Sequence, residues 1–549
     1  MISVILIFAI ASLLCLSLMS LNAYSKEASA PEIIKPVSTR QGSLDITIDP
    51  RLELLAVLQY LSGSKMTIPD SEGYAESIDA WFADFKSHPA LTRLQNLEKF
   101  GYRYDLPVSS FLCFDGVPLG KKTLSQCGYA KDMDEERLEK AAQGGSLEEF
   151  YASVNDFVHI SDFGGWFESQ RPFLEKTVSA TASLLASKDD MIRLLINWYG
   201  YEHERYTLVL SILFEGGYGI SLEDKQNKTL LYCVTMFYTS DKPSDILLNL
   251  AYMIFHEFSH PYVNPLVDKH FDMIKDRSEL FEPIKTKMTM QAYSSWWIAV
   301  VEHFVRASET RLVQLFYPPE TYKASTQWNI NQGFIYLDTV FEAVLEYEQA
   351  RGETGIRYDE YFPRLMQKFA SIKELSPDEL RDLIGFKGPI NSVCMHPITL
   401  IYPDPKRVKG VNEFIIPTVD LLVKKWHVTA YTDTQALELD LSDQNIYAYG
   451  AWGSNLWLNK HLPHAPFQIL EDRIIADKEY LGTNLRLASC LPNPLNPELG
   501  LAIYTAQNTP AMKGRFPIGP EDWYVYMTDP EPKLLGKGDY ASKSGKWKF

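Results

Sequence analysis

The stretch His256-Glu257-Phe258-Ser259-His260 places two imidazoles four residues apart with a carboxylate beside the first. On an α-helix, residues i and i+4 share a face, so both histidines can reach one Zn²⁺ ion while Glu257 addresses the water that the ion activates. The alternative is a buried structural helix. That alternative is disfavoured, because it would bury three polar side chains without partners. The motif therefore predicts a zinc site with its own general base.

The residues before the motif predict the helix that must carry it. Ser240-Asp241 can cap its start and Pro243 suits its first turn. Apolar residues then recur at helical spacing: Ile246, Leu247, Leu250, Ile254 and Phe258. Pro261 should end this helix directly after His260. The β-rich run 231–237 predicts a strand that leads into the helix.

A catalytic zinc ion needs a third protein ligand and an open fourth position. The next long helical stretch, 295–312, can present Glu302 or His303 on its apolar face. Glu302 is favoured, because a carboxylate lowers the charge of the ion as in His₂Glu sites. His303 lies about 100° around the same helix, so the two are not expected to bind one ion. Glu309 is a weaker alternative as the third ligand. The non-functional alternative is that Glu302 and His303 only form a surface or salt-bridged pair with Arg306.

Other polar side chains near these ligands suggest roles in hydrolysis. His303, Tyr293 and Tyr262 are candidate hydrogen-bond donors to an oxyanion, with His303 and Tyr293 favoured. Asn264 could orient a ligand histidine or simply form a turn before Pro265. The glycine-rich end of 210–219 could pair with an extended peptide substrate, or form only a hairpin turn.

Three segments together resemble a bacterial family of exported proteins catalogued as a domain of unknown function, itself similar to Glu-zincin peptidases. They are His256-Glu-Phe-Ser-His-Pro-Tyr-Val-Asn-Pro265, Val301-Glu-His-Phe-Val-Arg-Ala307 and Asp49-Pro-Arg-Leu-Glu-Leu-Leu55. The likeness covers roughly residues 45–385. It implies Zn²⁺ at His256, His260 and Glu302, but it supplies no substrate. Segments 449–455 and 491–497 are similar to uncharacterised domains appended to other exported bacterial hydrolases.

Composition and pattern predict an α+β protein. The chain has 549 residues, 46% of them hydrophobic, which is long enough for several domains. We expect a mainly helical zincin-like domain at 44–389 and a smaller α/β domain at 390–549, where prolines and short strands become frequent. Buried strands are expected at 426–431, 445–450 and 501–506, and a helix at 454–462. The net charge of −17 comes without a basic patch, so nucleic acid is not an expected partner.

The first residues predict export. The apolar run 2–21 and the small residues after it indicate a signal peptide at 1–23, followed by a linker at 24–43. No Lys or Arg precedes the run, so an uncleaved membrane anchor is the alternative. Cys113 and Cys127 are the one pair expected to form a disulfide. The sequence thus predicts a periplasmic or extracellular zinc peptidase acting on peptides or proteins. The alternative is a non-catalytic cell-envelope binding module on the same scaffold, which an intact Glu257 disfavours.

Overall fold

A computed structural model describes the chain from residue 33 to residue 549, with short gaps. The gaps are 65–66, 68–72, 121–125, 128–130, 189, 215, 238–241, 318–327, 331, 377–378, 381–382, 384, 396–397, 427, 515, 517, 529–532 and 544–545. About half of the structure is helix and a fifth is strand, arranged in helical and sheet-rich regions. The predicted α+β class is therefore confirmed.

The first sheet positions the candidate site. Its strands are β1 (Val37–Gln41), β2 (Leu44–Ile48), β3 (Gln126–Cys127), β4 (Arg205–Ser211), β5 (Gly217–Glu223) and β6 (Thr229–Met236). They lie in the order β1-β2-β4-β6-β5-β3, with β2, β4 and β6 parallel and β5 antiparallel to β6. The strand predicted at 231–237 is present as β6, whereas β5 was expected only as a glycine-rich turn or edge.

Helices cover this sheet and build the larger core. Along the chain they are α1 (Pro50–Ser62), α2 (Tyr74–Trp81), α3 (Pro89–Lys99), α4 (Asp105–Leu112), α5 (Lys131–Ala141), α6 (Leu147–Ile160), α7 (Phe163–Leu185), α8 (Met191–Tyr199), α9 (Pro243–Glu257), α10 (His260–His270), α11 (Lys285–Met290), α12 (Trp296–Phe316), α13 (Leu337–Thr354) and α14 (Tyr358–Ala370). One continuous apolar core runs through these elements, from Val37 to Phe369.

Helix α12 is the centre of that core. Most of its residues are buried around its whole circumference, including the charged residues Glu302, Arg306 and Glu309. It packs against α9, α10 and α13. A helix buried on all sides holds its side chains firmly in place, so polar groups on α12 are fixed relative to the neighbouring helices.

The second sheet lies in the C-terminal part of the chain. Its strands are β7 (Ile398–Tyr402), β8 (Thr429–Thr432), β9 (Asn445–Tyr449), β13 (Leu485–Asn493), β14 (Asn496–Ala506), β15 (Trp523–Met527) and β16 (Lys533–Gly538). Short strands β10 (Gln468–Ile469), β11 (Arg473–Ile475) and β12 (Glu479–Leu481) form a third sheet, and α15 (Val411–Phe414), α16 (Ile416–Trp426), α17 (Asp433–Ala436) and α18 (Leu456–His461) complete this region.

The second sheet is partly parallel, as predicted. The order is β16-β15-β13-β14-β9-β7-β8, and β14, β9, β7 and β8 run parallel. Separate apolar clusters cover its two faces. One prediction is wrong: Trp426 ends α16 instead of starting a buried strand, and β8 begins only at Thr429 as a partly exposed edge strand. The amphipathic run before Trp426 extends the helix beyond the predicted start of the strand.

The predicted signal peptide and most of the linker lie in residues 1–32, outside the described part of the chain. None of the helices that the structure describes is long and apolar enough to cross a membrane. Cys113 is disulfide-bonded. The side chain of its predicted partner, Cys127, falls outside the description, so that pairing stays a prediction. Cys233 and Cys490 are buried free thiols.

Candidate metal centre

Three side chains converge at the junction of α9, α10 and α12. Nε2 of His256 lies 3.3 Å from Nε2 of His260 and 3.7 Å from Oε2 of Glu302. Oε1 of Glu302 lies 3.5 Å from Nε2 of His260. One ligand atom from each residue therefore lies at a corner of a small triangle, and the group could hold a metal ion. Of the predicted third ligands, it is Glu302 that the fold brings to the two histidines.

The two histidines lie on successive helices, not on one. Helix α9 ends at Glu257 and α10 begins at His260, with Pro261 in its first turn. Pro261 has no N–H to donate to the carbonyl of Glu257, so the helical hydrogen-bond ladder is interrupted between the two histidines instead of after them. Phe258 and Ser259 keep near-helical backbone angles. The imidazoles therefore still face each other as they would one turn apart. The start of α9 is at Pro243, and the predicted cap, Ser240-Asp241, lies outside the described residues.

Each imidazole is held through its other nitrogen. Nδ1 of His256 lies 2.7 Å from Oε2 of Glu309, and Nδ1 of His260 lies 3.1 Å from Oδ1 of Asn264. Both partners are oxygen acceptors, so the proton of each ring sits on Nδ1 and the lone pair of Nε2 faces the triangle. Burial lowers the pKa of His256 to about 3, which keeps this ring neutral. Neutral rings with Nδ1–H bonded to an oxygen are the form in which histidine binds metals.

Glu302 has a carboxylate oxygen that lacks a hydrogen-bond partner. Oε2 of Glu302 is buried and accepts no hydrogen bond; it forms an ion pair with Nε of Arg306, 3.5 Å away, which is also buried without a hydrogen bond. A buried carboxylate oxygen without a hydrogen bond is costly, and a metal cation among these three side chains would satisfy it. The side chains of His256 and His260 keep 13% and 20% exposure, against 5% for Glu302, so the triangle is reached from the histidine side.

Glu257 is held against the first sheet. Its carboxylate accepts a hydrogen bond from the backbone N–H of Gly219 in β5. A Cβ atom at Gly219 would lie 2.7 Å from Oε2 of Glu257, and one at Gly217 would lie 1.7 Å from Cε of Met253. Glycine at these two positions therefore lets β5 approach the end of α9. Burial, followed by the negative charge of Glu302, raises the pKa of Glu257 to about 8. A cation in the triangle would favour the ionised form instead.

Tyr293 and Arg306 form a second polar pair beside the triangle. Nη2 of Arg306 donates to the hydroxyl of Tyr293 at 3.4 Å, and Nη1 donates to Oδ1 of Asn329 at 3.2 Å. The guanidinium carbon lies 4.2 Å from the centre of the Phe334 ring. Burial and the charge of Glu302 raise the pKa of Tyr293, so its hydroxyl keeps its proton at neutral pH. The pair can thus offer hydrogen-bond donors and positive charge next to Glu302.

His303 is placed elsewhere. Its Nδ1 donates to the carbonyl of Ala299 at 2.6 Å, and its ring lies within 5.6 Å of the ring centres of Phe334, Tyr336 and Phe369. It is fully buried, and burial lowers its pKa to about 4. Because His303 lies about 100° around the helix from Glu302, its side chain points into a pocket of aromatic rings instead of toward the triangle. The two roles suggested for it, metal ligand or oxyanion donor, therefore have no support in its contacts.

Tyr262 also lies away from the triangle. Its ring stacks on that of Tyr199 at 4.2 Å, and its hydroxyl lies 2.5 Å from that of Tyr206. The sequence suggested Arg306 only as an ion-pair partner of Glu302, and that ion pair is present; its contacts with Tyr293 and Asn329 were not predicted. The i+4 spacing from Glu302 was the available signal. The roles of Gly217 and Gly219 depend on the approach of β5 to α9, which no local pattern reveals.

The chain matches the family described as "Domain of unknown function (DUF4932)" over residues 44–368, more than half of its length. It belongs to that family, as the resemblance in three segments implied. The triangle, Glu257 and the pair formed by Tyr293 and Arg306 all lie within the matched residues. No curated protein matches the chain. No solved structure matches it either.

Proposed function

We propose that this protein is an exported zinc-dependent peptidase whose ion is bound by His256, His260 and Glu302. The observation that carries the proposal is the close approach of the ligand groups: the two Nε2 atoms are 3.3 Å apart, Oε1 of Glu302 lies 3.5 Å from that of His260, and Oε2 lies 3.7 Å from that of His256. A tetrahedral zinc ion with ligand bonds of about 2.0–2.1 Å holds its ligand atoms roughly 3.4 Å apart. Two imidazoles and one carboxylate are also the ligand set of catalytic zinc in several peptidases.

The proposed chemistry needs a base, and Glu257 is the candidate. When bound, Zn²⁺ would supply Lewis acidity, lowering the pKa of water towards about 7 and polarising a carbonyl. Glu257 would accept the proton of the attacking water and pass it to the leaving amine. Its bond from the Gly219 N–H fixes the carboxylate for both transfers. A scaffold that only binds would not need a general base at this position.

The developing oxyanion would be stabilised by the Tyr293 hydroxyl. Arg306 donates to that hydroxyl and lies 3.5 Å from Glu302, so it places a positive charge beside the reacting carbonyl. Donors that are already in place before reaction are worth about 10²–10³ in turnover when one is removed. Of the two oxyanion donors that the sequence favoured, His303 and Tyr293, the proposal keeps Tyr293 and adds Arg306 as its support.

A peptide substrate fits the outer edge of β5. In the described part of the chain, β3 pairs only with Leu222 and Glu223, so β5 lies next to the edge of the sheet. An extended peptide can add to such an edge through main-chain hydrogen bonds. Because Glu257 is bonded to Gly219 in β5, a peptide there would pass directly over the proposed base.

The proposal is tested by measuring metal content and cleavage together. Purified protein should contain about one zinc per chain and cleave members of a peptide library. A chelator should abolish cleavage, and added Zn²⁺ should restore it. Cleavage that persists in metal-free protein would overturn the proposal. Stoichiometric zinc with no cleavage of any peptide would favour the alternative, a binding module on the same scaffold.

A further inference from the structure

Tyr293 depends on the end of α11 for its position. The backbone N–H of Tyr293 donates to the carbonyl of Met288 at 2.9 Å, and that of Ala292 to the carbonyl of Thr289 at 3.0 Å. Ala292 adopts a left-handed φ of +69°, which is unfavourable for a residue with a Cβ atom. The last turn of α11 therefore fixes the direction in which the Tyr293 side chain leaves the helix.

Arg306 depends on the turn at 329–334. Asn329 accepts from Nη1, and the Phe334 ring lies over the guanidinium. Gly333 in this turn has a φ of +100°, and a Cβ atom there would lie 3.1 Å from Cβ of Lys287. The backbone of the turn thus rests on the aliphatic stem of Lys287, in α11.

Lys287 therefore lies in the helix whose end holds Tyr293 and against the turn that holds Arg306. Gln291 joins them as well, because its Nε2 donates to the carbonyls of Lys287 at 2.9 Å and Gln332 at 2.7 Å. Only 5% of Lys287 is exposed. A buried ammonium group is costly unless an opposite charge lies near it.

The opposite charge comes from the second sheet. Glu498 in β14 is half-buried, and Glu498 and Lys287 line the same small cavity, together with Met290, Gln332 and Asn445. Burial lowers the pKa of Lys287 to about 8, and the charge of Glu498 opposes this shift. Burial raises the pKa of Glu498, and Lys287 opposes that shift in turn. The two groups thus stabilise each other's charged forms across the two regions of the chain.

We propose that Glu498, acting through Lys287, is a positioning residue for the pair formed by Tyr293 and Arg306. The C-terminal region then supports the oxyanion-binding side of the site and reaches the proposed ligand Glu302 only through Arg306. The inference rests on the proposed function for its catalytic consequence. The positioning itself can be measured without any substrate.

The test uses the full-length, zinc-loaded chain with 3-fluorotyrosine incorporated at position 293. Glu498→Gln and Lys287→Met should each shift or broaden the ¹⁹F resonance of residue 293. The charge-exchanged double variant, Lys287→Glu with Glu498→Lys, should restore part of the wild-type signal. Glu479→Gln is the matched control, because Glu479 pairs on the surface with Arg473 in the same region. Zinc affinity should stay within about twofold of wild type in all four, since Lys287 reaches a ligand only through Arg306.

Once a peptide that the wild type cleaves is known, Glu498→Gln should lower kcat for it about tenfold or more with little change in KM. The reason is that the Tyr293 hydroxyl and Arg306 would be displaced from the reacting carbonyl, while the rest of the bound peptide keeps its contacts. An unchanged ¹⁹F resonance in both single variants would overturn the inference, as would a loss of zinc that parallels the change. If the wild type cleaves nothing, the proposed function fails, and the ¹⁹F spectra alone decide the positioning.

Discussion

Oε2 of Glu309 lies 2.7 Å from Nδ1 of His256, on the side of the ring opposite the Nε2 atom that faces Glu302. Glu309, which the sequence suggested as an alternative third ligand, thus contacts the far nitrogen of the proposed ligand His256 instead of facing the triangle. Burial raises the pKa of Glu309 to about 7, and the charge of Arg306 opposes that shift. Glu309 fixes both the orientation and the tautomer of His256.

Glu309→Gln should therefore weaken zinc binding about 10- to 100-fold without removing a ligand. Asn264→Ala should have a similar but smaller effect, because its bond to His260 is longer and uncharged. The measurement is a competition titration with a zinc chelator of known affinity. Glu348→Gln is the control, since Glu348 pairs with Arg311 instead of a histidine. Equal affinities for Glu309→Gln and the control would show that His256 does not need this partner.

The identity of the third ligand gives a second prediction. Glu302→Ala should weaken zinc binding by at least ~10-fold, because it removes one of the three proposed ligands. His303→Ala should leave zinc affinity unchanged and lower stability by about 1–3 kcal/mol, because it empties a buried aromatic pocket. Chelator competition and chemical denaturation measure the two effects. Loss of zinc in His303→Ala with the fold intact would reverse the assignment.

The approach of β5 to Glu257 gives a third prediction. A Cβ atom at Gly219 would lie 2.9 Å from the backbone oxygen of Glu257, which cannot move aside as a side-chain end can. Gly219→Ala should shift β5 and break its bond to the Glu257 carboxylate. Turnover should then fall about tenfold or more while zinc content is kept. Gly352→Ala in α13 is the control, because nothing lies within 4 Å of a Cβ atom there. Full activity in Gly219→Ala would remove Gly219 from the proposed mechanism.

The fourth prediction concerns Glu53 in α1, far along the chain from the metal ligands. Glu53 is fully buried, and its carboxyl lies 2.6 Å from the donating hydroxyl of Tyr74. Burial raises its pKa from 4.5 to about 7. Between these values the folded state binds the proton more tightly than the unfolded state, so Glu53 contributes stability below pH 4.5 that is lost as the pH rises to about 7.

For a pKa shift of this size, the stability contributed by Glu53 that is lost as the pH rises is on the order of 3 kcal/mol. Glu53→Gln should remove this pH-dependent contribution, so the free energy of unfolding should fall less between pH 5 and pH 7 in the variant than in the wild type. Urea denaturation of chelator-treated protein at pH 5, 6 and 7 measures the difference. Parallel pH profiles for the two proteins would show that Glu53 does not keep its proton in the fold.

Much of the site could be predicted because its residues are close in sequence or share one helix. The spacing of His256 and His260, the proximity of Asn264 and the apolar face around Glu302 are local signals, and the fold brings these residues together. The helix break before His260 was misplaced, because Pro261 was taken to end a helix when it occupies the first turn of the next one. Proline fits both descriptions, and only packing decides between them.

What could not be predicted depends on contacts between distant segments. Arg306 is given a role by Asn329, Phe334 and Tyr293, which come from two other parts of the chain. His303 was favoured because it is adjacent to Glu302, but adjacent residues on a helix point in different directions. The proposed role of Glu498 rests on its charge interaction with Lys287, and the sequence patterns assign these two residues to different regions of the chain.

The most direct test of the central claim compares wild type with Glu257→Gln at equal zinc content. Glu257 lies beside the triangle without being part of it, so the substitution should leave about one zinc per chain and abolish cleavage of a peptide that the wild type hydrolyses. His256→Ala is the companion variant, and it should lose both zinc and cleavage. Cleavage by zinc-loaded Glu257→Gln at the wild-type rate would contradict the account, as would loss of zinc from that variant with its fold intact.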